Sequence, residues 1–395
     1  IALVAQLTRR FEYWTIEAQL AHAAQPFSAR LVKLDGKKFE QFDLTDEAGA
    51  EAARARLLAA AGGALEVASV ESKERKRRPA PPFITSTLQQ EAARKLGFST
   101  SRTMRVAQKL YEGVALGAEG TVGLISYMRT DSTHLSAEAV DELRQTIARD
   151  FGMHALPATA NVYKTKSKNA QEAHEAIRPT SALRSPKSVA AFLDADGARL
   201  YELIWKRAVA CQMIHATLNT VSVELSAGTS HGFRATGTTV VDPGFLAVYE
   251  EGKDARSAED DDEGRKLPAL RRGERVPLSA ILADQHFTEP PPRYSEASLV
   301  KALEEYGIGR PSTYASIIQT LLNREYVLLD ARRFRPTDVG RAVAKFLSGH
   351  FTRYVDYDFT AKLEDELDAV SRGEEDWIPL MSRFWGPFKA LVEEK

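Results

Sequence analysis

The chain contains a single cysteine, Cys211. That excludes a disulfide and any cysteine-rich zinc site, and it fits a reducing, cytoplasmic compartment. No stretch approaches the ~20 consecutive apolar residues that a membrane-spanning helix needs. There is no G-x-x-x-x-G-K-[ST] loop to cradle a nucleotide triphosphate, so ATP is not an expected cofactor. Net charge is almost absent, −1 at pH 7 over 395 residues, so the overall balance does not advertise nucleic acid. The first residue is Ile1, not methionine. The stretch Ile1-Ala-Leu-Val-Ala-Gln-Leu7 is apolar, short and not preceded by basic residues, so it is no secretory signal. It reads as the interior of a longer protein.

What is present is enough for a soluble globular protein: 44% hydrophobic and 27% charged residues can build a proper core. At roughly 100–200 residues per domain, two to four domains are expected. The charge is unevenly placed, and that matters more than its sum. Lys73, Arg75, Lys76, Arg77, Arg78, Arg94, Lys95, Arg102, Arg105 and Lys109 face only Glu71, Glu74 and Glu91 between positions 71 and 110. Compensating acid lies elsewhere, notably in Glu259-Asp-Asp-Asp-Glu263, which reads as a solvated loop tip and not a metal site.

Along the chain, Phe27–Leu34 alternates polar and apolar residues, the period of a half-buried strand, and Asp35-Gly36 marks a tight turn. Ala50–Ala61 is helical and stops at Gly62-Gly63. Ala64–Val70 returns to strand, after which the basic run and Pro79–Pro82 form a boundary. From Thr85 to about Met213 the pattern is helical. Thr85 or Ser86 is placed to cap a helix through Leu96, stopped by Gly97. A second helix runs from about Ser101 to Tyr111, and the pair resembles a helix-turn-helix. Ser136 is placed to cap Ala137–Phe151, and Arg199–Met213 is amphipathic. Residues 217–250 and Arg275–Phe287 are strand-like, and from Pro290 the chain reads as helical to its end.

The most informative segment is Gly123-Leu-Ile-Ser-Tyr-Met-Arg-Thr-Asp-Ser132. Leu124 and Ile125 read as a buried strand that delivers Tyr127 and Arg129 to one side, since side chains two apart share a face. A tyrosine has pKa ~10 and is a weak nucleophile at neutral pH; a guanidinium beside it stabilises phenolate and clamps a phosphate oxygen. Taken alone, Tyr-x-Arg in a strand is usually structural. His174, alone in a polar stretch, is usually a surface residue. Gly307–Ile318 joins a glycine turn, Arg310 and Ser312-Thr313 to an apolar helix. Ser312 reads as its N-cap, and a helix N-terminus preceded by arginine is a good phosphate seat, though plain capping explains it as well. Phe83, Tyr111 and Tyr294 read as core residues more than as stacking platforms. Gln89, Gln90 and Arg94 lie on the first helix of the helical stretch, facing either a DNA groove or solvent.

Five long words change the balance. Gly113–Ser136, Pro82–Gln90, Gln171–Pro179, Arg293–Leu299 and Gly307–Ile318 closely resemble, in family order, the bacterial type IA DNA topoisomerases. The resemblance covers nearly the whole chain and weakens at residues 1–12 and near 255–265. It implies that Tyr127 attacks a single-strand phosphodiester, stays on the 5′ phosphate and releases a 3′ hydroxyl, with Arg129 stabilising the phosphate. One phosphodiester is exchanged for another, so no external energy is required. It implies a phosphate contact or proton shuttle for His174, which Arg178 and Glu172 either orient or leave for an ion pair of their own. It favours contact with single-stranded DNA at Arg310, Ser312, Thr313, Thr130, Ser132 and Arg178, and more weakly at Arg324. The implied partners are single-stranded and negatively supercoiled DNA, bound by a monomer.

The expected fold class is mixed α+β and multidomain. Residues 13–84 and 214–289 would form a β-rich arch, and 85–213 an inserted helical, CAP-like domain carrying the tyrosine. Residues 290–395 would be a helical DNA-binding base, with 1–12 a remnant of a base-domain helix. The family's Mg²⁺-holding TOPRIM domain is not found: Asp356-Tyr-Asp358 has the spacing of its acidic pair but no Gly-rich βαβ context. Mg²⁺ is therefore expected for the whole enzyme and not for these residues, and one cysteine cannot build the family's zinc ribbons. Around Leu7–Trp14 relatives carry a longer, charged helix, so either the chain is shortened there or residues are passed over in its numbering. A tyrosine recombinase or type IB enzyme fits the Tyr-Met-Arg-Thr-Asp-Ser word poorly. A non-catalytic single-strand binder and a topoisomerase III-like decatenase are the other readings.

Overall fold

The computed structural model describes residues 10–164, 174–254 and 264–395. The apolar start, Glu172 and the acidic run at 259–263 lie outside the described residues. In chain order come β1 (Glu12–His22), β2 (Gln25–Leu34), β3 (Lys37–Lys38), α1 (Glu47–Ala61) and β4 (Ala64–Arg77). The helical stretch follows with α2 (Thr85–Glu91), α3 (Thr100–Glu112), a small hairpin of β5 (Val114–Ala115) and β6 (Thr121–Val122), α4 (Ala137–Phe151), α5 (Pro186–Val189) and α6 (Ala195–Cys211). β7 (Ala216–Ala227), β8 (His231–Asp242) and β9 (Arg275–Phe287) come next. The tail holds α7 (Glu296–Glu305), α8 (Tyr314–Asn323), β10 (Val327–Asp330), β11 (Arg333–Pro336), α9 (Asp338–His350), α10 (Tyr357–Ser371) and α11 (Trp377–Glu394). The architecture is mixed α+β.

Strands from before and after the helical stretch form one antiparallel sheet in the order β1-β9-β4-β7-β8-β2-β3. β1 also pairs with β2, Glu17 opposite Arg30 and His22 opposite Gln25, so the sheet closes on itself. Closure leaves few unpaired backbone groups at an edge. Alternation drives it: Trp14, Ile16, Ala18 and Leu20 of β1 are buried, as are Phe27, Ala29 and Leu31 of β2. α1 adds Ala50, Ala53, Leu57 and Ala61 to the same core. Asp46 caps α1 by accepting from the Gly49 N–H at 2.7 Å, and Gly62 ends it in the left-handed conformation. A second core fills the helical stretch around Phe83, Leu88, Leu110, Leu124, Ile125, Met128 and Ile204. A third, built on Leu299, Val300, Tyr314, Ile318, Val327 and Phe334, belongs to the tail.

Several expectations from the sequence are corrected. The basic run belongs to β4, which stays paired with β7 as far as Arg77 opposite Ala216, so of the expected boundary only Pro79–Pro82 lies between the strand and α2. α2 is not capped by Thr85 or Ser86: its N-cap is Ile84, whose N–H donates to Thr87 Oγ1 at 3.0 Å. The helix runs on as a π-turn over Ala92–Leu96 before Gly97, at φ +69°. Gln89 and Gln90 are buried, at 0% and 6% exposure, and face neither solvent nor an open groove. The tail is not helical throughout, since β10 and β11 form a hairpin turned at Ala331 and Arg332. Ser312 does not cap α8: Thr313 holds the cap position, and its hydroxyl closes the turn on the Arg310 N–H instead.

Candidate active site around Tyr127

Gly123 passes so close to the end of α3 that a Cβ there would lie 2.7 Å from the Tyr111 carbonyl oxygen. Leu124 N–H donates to the Leu110 carbonyl at 2.7 Å, and Leu124 and Ile125 are buried. On the other side runs residue 176–180: Ser126 N–H donates to Arg178 O and Thr180 N–H to Leu124 O, both at 2.9 Å. The expected strand is therefore only an isolated bridge, Ile125 opposite Pro179. Pro179 has no N–H, so the ladder cannot continue. The side-chain alternation survives without it: Tyr127 and Arg129 are exposed, while Met128 and Thr130 are buried.

Tyr127 is 40% exposed. Its ring meets Tyr111 edge-on, with centroids 5.3 Å apart, and His174 is tilted toward it at 6.1 Å. The structure thus brings together His174 and Tyr127, which are far apart in sequence. Among the described residues no carboxylate pairs with Arg129, which is exposed two residues from Tyr127. Tyr111, read from sequence as core, is 41% exposed. The signal was available: the buried stripe of α3 is Thr103, Val106, Ala107 and Leu110, and position 111 falls off it. Phe83 is fully buried, as core.

Other expected site residues have different surroundings. Thr130 and Ser132 are buried, and their hydroxyls accept from the N–H groups two residues on, Ser132 at 3.0 Å and His134 at 3.1 Å. They shape the backbone and do not face outward. Arg178 turns to Glu175, Nη2 to Oε2 at 2.6 Å, and donates to Pro179 O. Burial alone would raise the Glu175 carboxyl, yet Arg178 and the Ser136 N–H outweigh it and hold it below the usual range. Arg310 is gripped by Asp368 at 2.6 Å, Asp365 at 3.6 Å and Glu364 at 3.8 Å of α10. Burial would lower its pKa, but these acids raise it. Ser312 is exposed, and Thr313 Oγ1 accepts from Arg310 N–H at 2.8 Å. Arg324 lies at the far end of α8, ~15 Å away at 1.5 Å per residue, and is not brought to the Arg310 turn.

The described residues do not fit a Mg²⁺ site. Asp356 is the N-cap of α10, accepting from the Asp358 N–H at 2.7 Å, and Glu364, Asp365 and Asp368 of α10 are held on Arg310. Among the described residues no cluster of three metal-ligating side chains occurs, and none of the described helices is long and apolar enough to cross a membrane.

An exposed phenol with an imidazole tilted toward its ring, and an exposed arginine two residues on, thus sits on a helical unit set between strands of one closed sheet. The family model described as DNA topoisomerase matches residues 6–382, and the chain belongs to that family, the bacterial type IA DNA topoisomerases. It is 71% identical over 384 residues to DNA topoisomerase 1 of Xylella fastidiosa (strain 9a5c), covering 97% of this chain and 47% of that protein. With DNA topoisomerase 1 of Rickettsia bellii the identity is 48%, again over 97% of this chain and 47% of the relative. The full-length topoisomerase I of Thermotoga maritima superposes with a TM-score of 0.80 at 32% identity, over 98% of this chain and 60% of that one. The chain spans about half the length of these curated relatives.

Proposed function

We propose that this chain is the gate-forming part of an ATP-independent DNA topoisomerase whose nucleophile is Tyr127. The observation that carries the reading is the exposed Tyr127 phenol with the ring of His174 tilted toward it, two residues from the exposed Arg129, with which no carboxylate among the described residues pairs. The phenolic oxygen forms a bond to phosphorus while the bond to the 3′ oxygen breaks. The phenolic proton ends on the released 3′ hydroxyl, and resealing runs the same exchange backwards. Arg129 offsets charge on the phosphoryl oxygens as they pass through the transition state. His174 contacts the phosphate or relays the proton.

In the whole protein this exchange would let the helical stretch lift from the tail, pass a second strand and reseal, relaxing negatively supercoiled DNA. The arch (13–84 and 214–289) would act as hinge and the tail (290–395) as base. Any Mg²⁺ the whole enzyme uses is assigned to residues other than those described. The chain by itself should bind single-stranded DNA without relaxing plasmid. Binding is supported by the exposed Lys73, Arg75 and Lys76 on β4, whose cross-strand neighbours Thr220, Leu218 and Thr217 carry no charge. Affinity should then fall with salt, by a slope of about −0.7 per phosphate contacted. The Arg310 turn supports it less, because acids already hold that guanidinium.

The test is covalent capture of a labelled single-stranded oligonucleotide on denaturing gels, with the full-length enzyme and its Tyr127→Phe variant. The variant should bind DNA and form no adduct; persistent adduct would sink the assignment.

A further inference from the structure

The arm that presents Tyr127 and Arg129 is fastened on both sides. Upstream, the Ser126 hydroxyl donates to Ala176 O at 2.7 Å and accepts from Arg178 N–H at 2.9 Å, tying the arm to the segment that carries His174. Downstream, the fastening comes from Thr85. Its Oγ1 accepts from the Thr130 N–H at 2.9 Å and lies 2.8 Å from Met128 O and 3.0 Å from Thr130 O, to which it donates. The Thr85 N–H donates to the same Thr130 carbonyl at 2.9 Å. Between the fastenings stand Tyr127, Met128 and Arg129, with Met128 buried in the helical core as an anchor.

Thr85 opens α2, where a threonine ordinarily serves its own helix. Here that task falls to Thr87, which takes the Ile84 N–H. Every hydrogen bond of the Thr85 side chain instead goes to backbone more than forty residues away, on both sides of Arg129. The residue is fully buried, so no water competes for these bonds. A guanidinium stabilises a phosphoryl transition state only where it meets the developing charge, and misplacement by about 1 Å costs ~10²-fold in rate.

We propose that Thr85 is a positioning residue for phosphoryl transfer: its hydroxyl fixes the backbone of Met128 and Thr130 and so sets the reach of Arg129 relative to the Tyr127 phenol. This rests on the reading of Tyr127 as nucleophile. A threonine that serves only the fold would change melting temperature and leave the rate per folded molecule alone.

The experiment uses the full-length enzyme with Thr85→Val, Thr85→Ala and Thr85→Ser. Single-turnover cleavage and rejoining of a labelled oligonucleotide are measured per folded molecule, beside DNA affinity and thermal melts. Valine keeps the shape and loses the hydroxyl; serine keeps the hydroxyl. The valine and alanine variants should lose ~10²-fold in rate with affinity unchanged within about threefold, and serine should stay within about threefold of the parent. A folded valine or alanine variant that cleaves and rejoins at the parental rate would overturn the proposal, as would a serine variant as slow as valine. Failure of both valine and alanine to fold would also overturn it, since the hydroxyl would then serve the fold and not the arm. Tyr127→Phe runs alongside: adduct formation by that variant removes the nucleophile reading itself, whereas parental rates in the Thr85 variants with a Tyr127-dependent adduct remove only this inference.

Discussion

Replacing Glu296 with alanine removes a carboxylate that reaches from α7 to close the N-terminus of α3. Glu296 Oε2 accepts from the Thr100 N–H at 2.6 Å and lies 2.9 Å from Thr100 Oγ1, with Glu296 only 7% and Thr100 1% exposed. The first N–H groups of any helix have no partner within it, and Ser99 satisfies only those of Arg102 and Thr103. In the alanine variant the Thr100 N–H and hydroxyl are left buried and unbonded. Hydrogen bonds to a charged group contribute about 1.5–3 kcal/mol each, and a negative charge at a helix N-terminus about 0.3–1 kcal/mol. Relief from holding a buried carboxylate opposes this, so the net cost should be about 2–3 kcal/mol. At 1.4 kcal/mol per decade that is a ~30–140-fold shift toward the open form of the first turn. Hydrogen exchange at the Thr100 and Ser101 amides reads it directly, with a thermal melt beside it. Glu296→Gln keeps an acceptor without the charge and should fall between the two. Parental exchange at Thr100 in the alanine variant would refute the reasoning.

Arg129→Ala should lower cleavage or rejoining by ~10²–10³-fold with little change in melting temperature, because no carboxylate among the described residues pairs with Arg129; a matching loss of stability would mark a structural role. Glu175 is held below the ordinary carboxyl value of 4.5, so the stability it contributes is present above that pH and lost as pH falls through the lower folded value. Glu175→Gln should therefore flatten the acid limb of the stability profile below pH 4.5, and an unaltered limb counts against the Arg178 and Ser136 contacts. Burial pushes the Cys211 thiol up to about 12, so alkylating reagents at pH near 8 should modify it only after unfolding; prompt labelling of native protein would contradict its burial.

Local chemistry settled a good part of this molecule before any tertiary contact. Asp46 and Gly62 bound α1, and Ser136 caps α4, because a side-chain oxygen or a left-handed glycine meets the needs of a helix end from within a few residues. The spacing of Tyr127, Met128 and Arg129 likewise put two side chains out and one in, even though no regular strand formed. Other features depended on partners far along the chain. β1 pairs along its length with β9, some 270 residues on, which local propensity cannot encode. Arg310 looks free in its own neighbourhood, and only the approach of α10 fills its guanidinium with acids. Thr85 looks like a helix start, and only the return of the Met128–Thr130 backbone turns its hydroxyl into a fastening. Tyr111 and His174 flank Tyr127 because α3 and the 174–180 segment converge on it. The sequence by itself determined the family to which the chain belongs. Which side chains stay exposed, which are already paired, and what holds them in place was decided by tertiary packing, because burial and hydrogen-bond partners arise where distant segments meet.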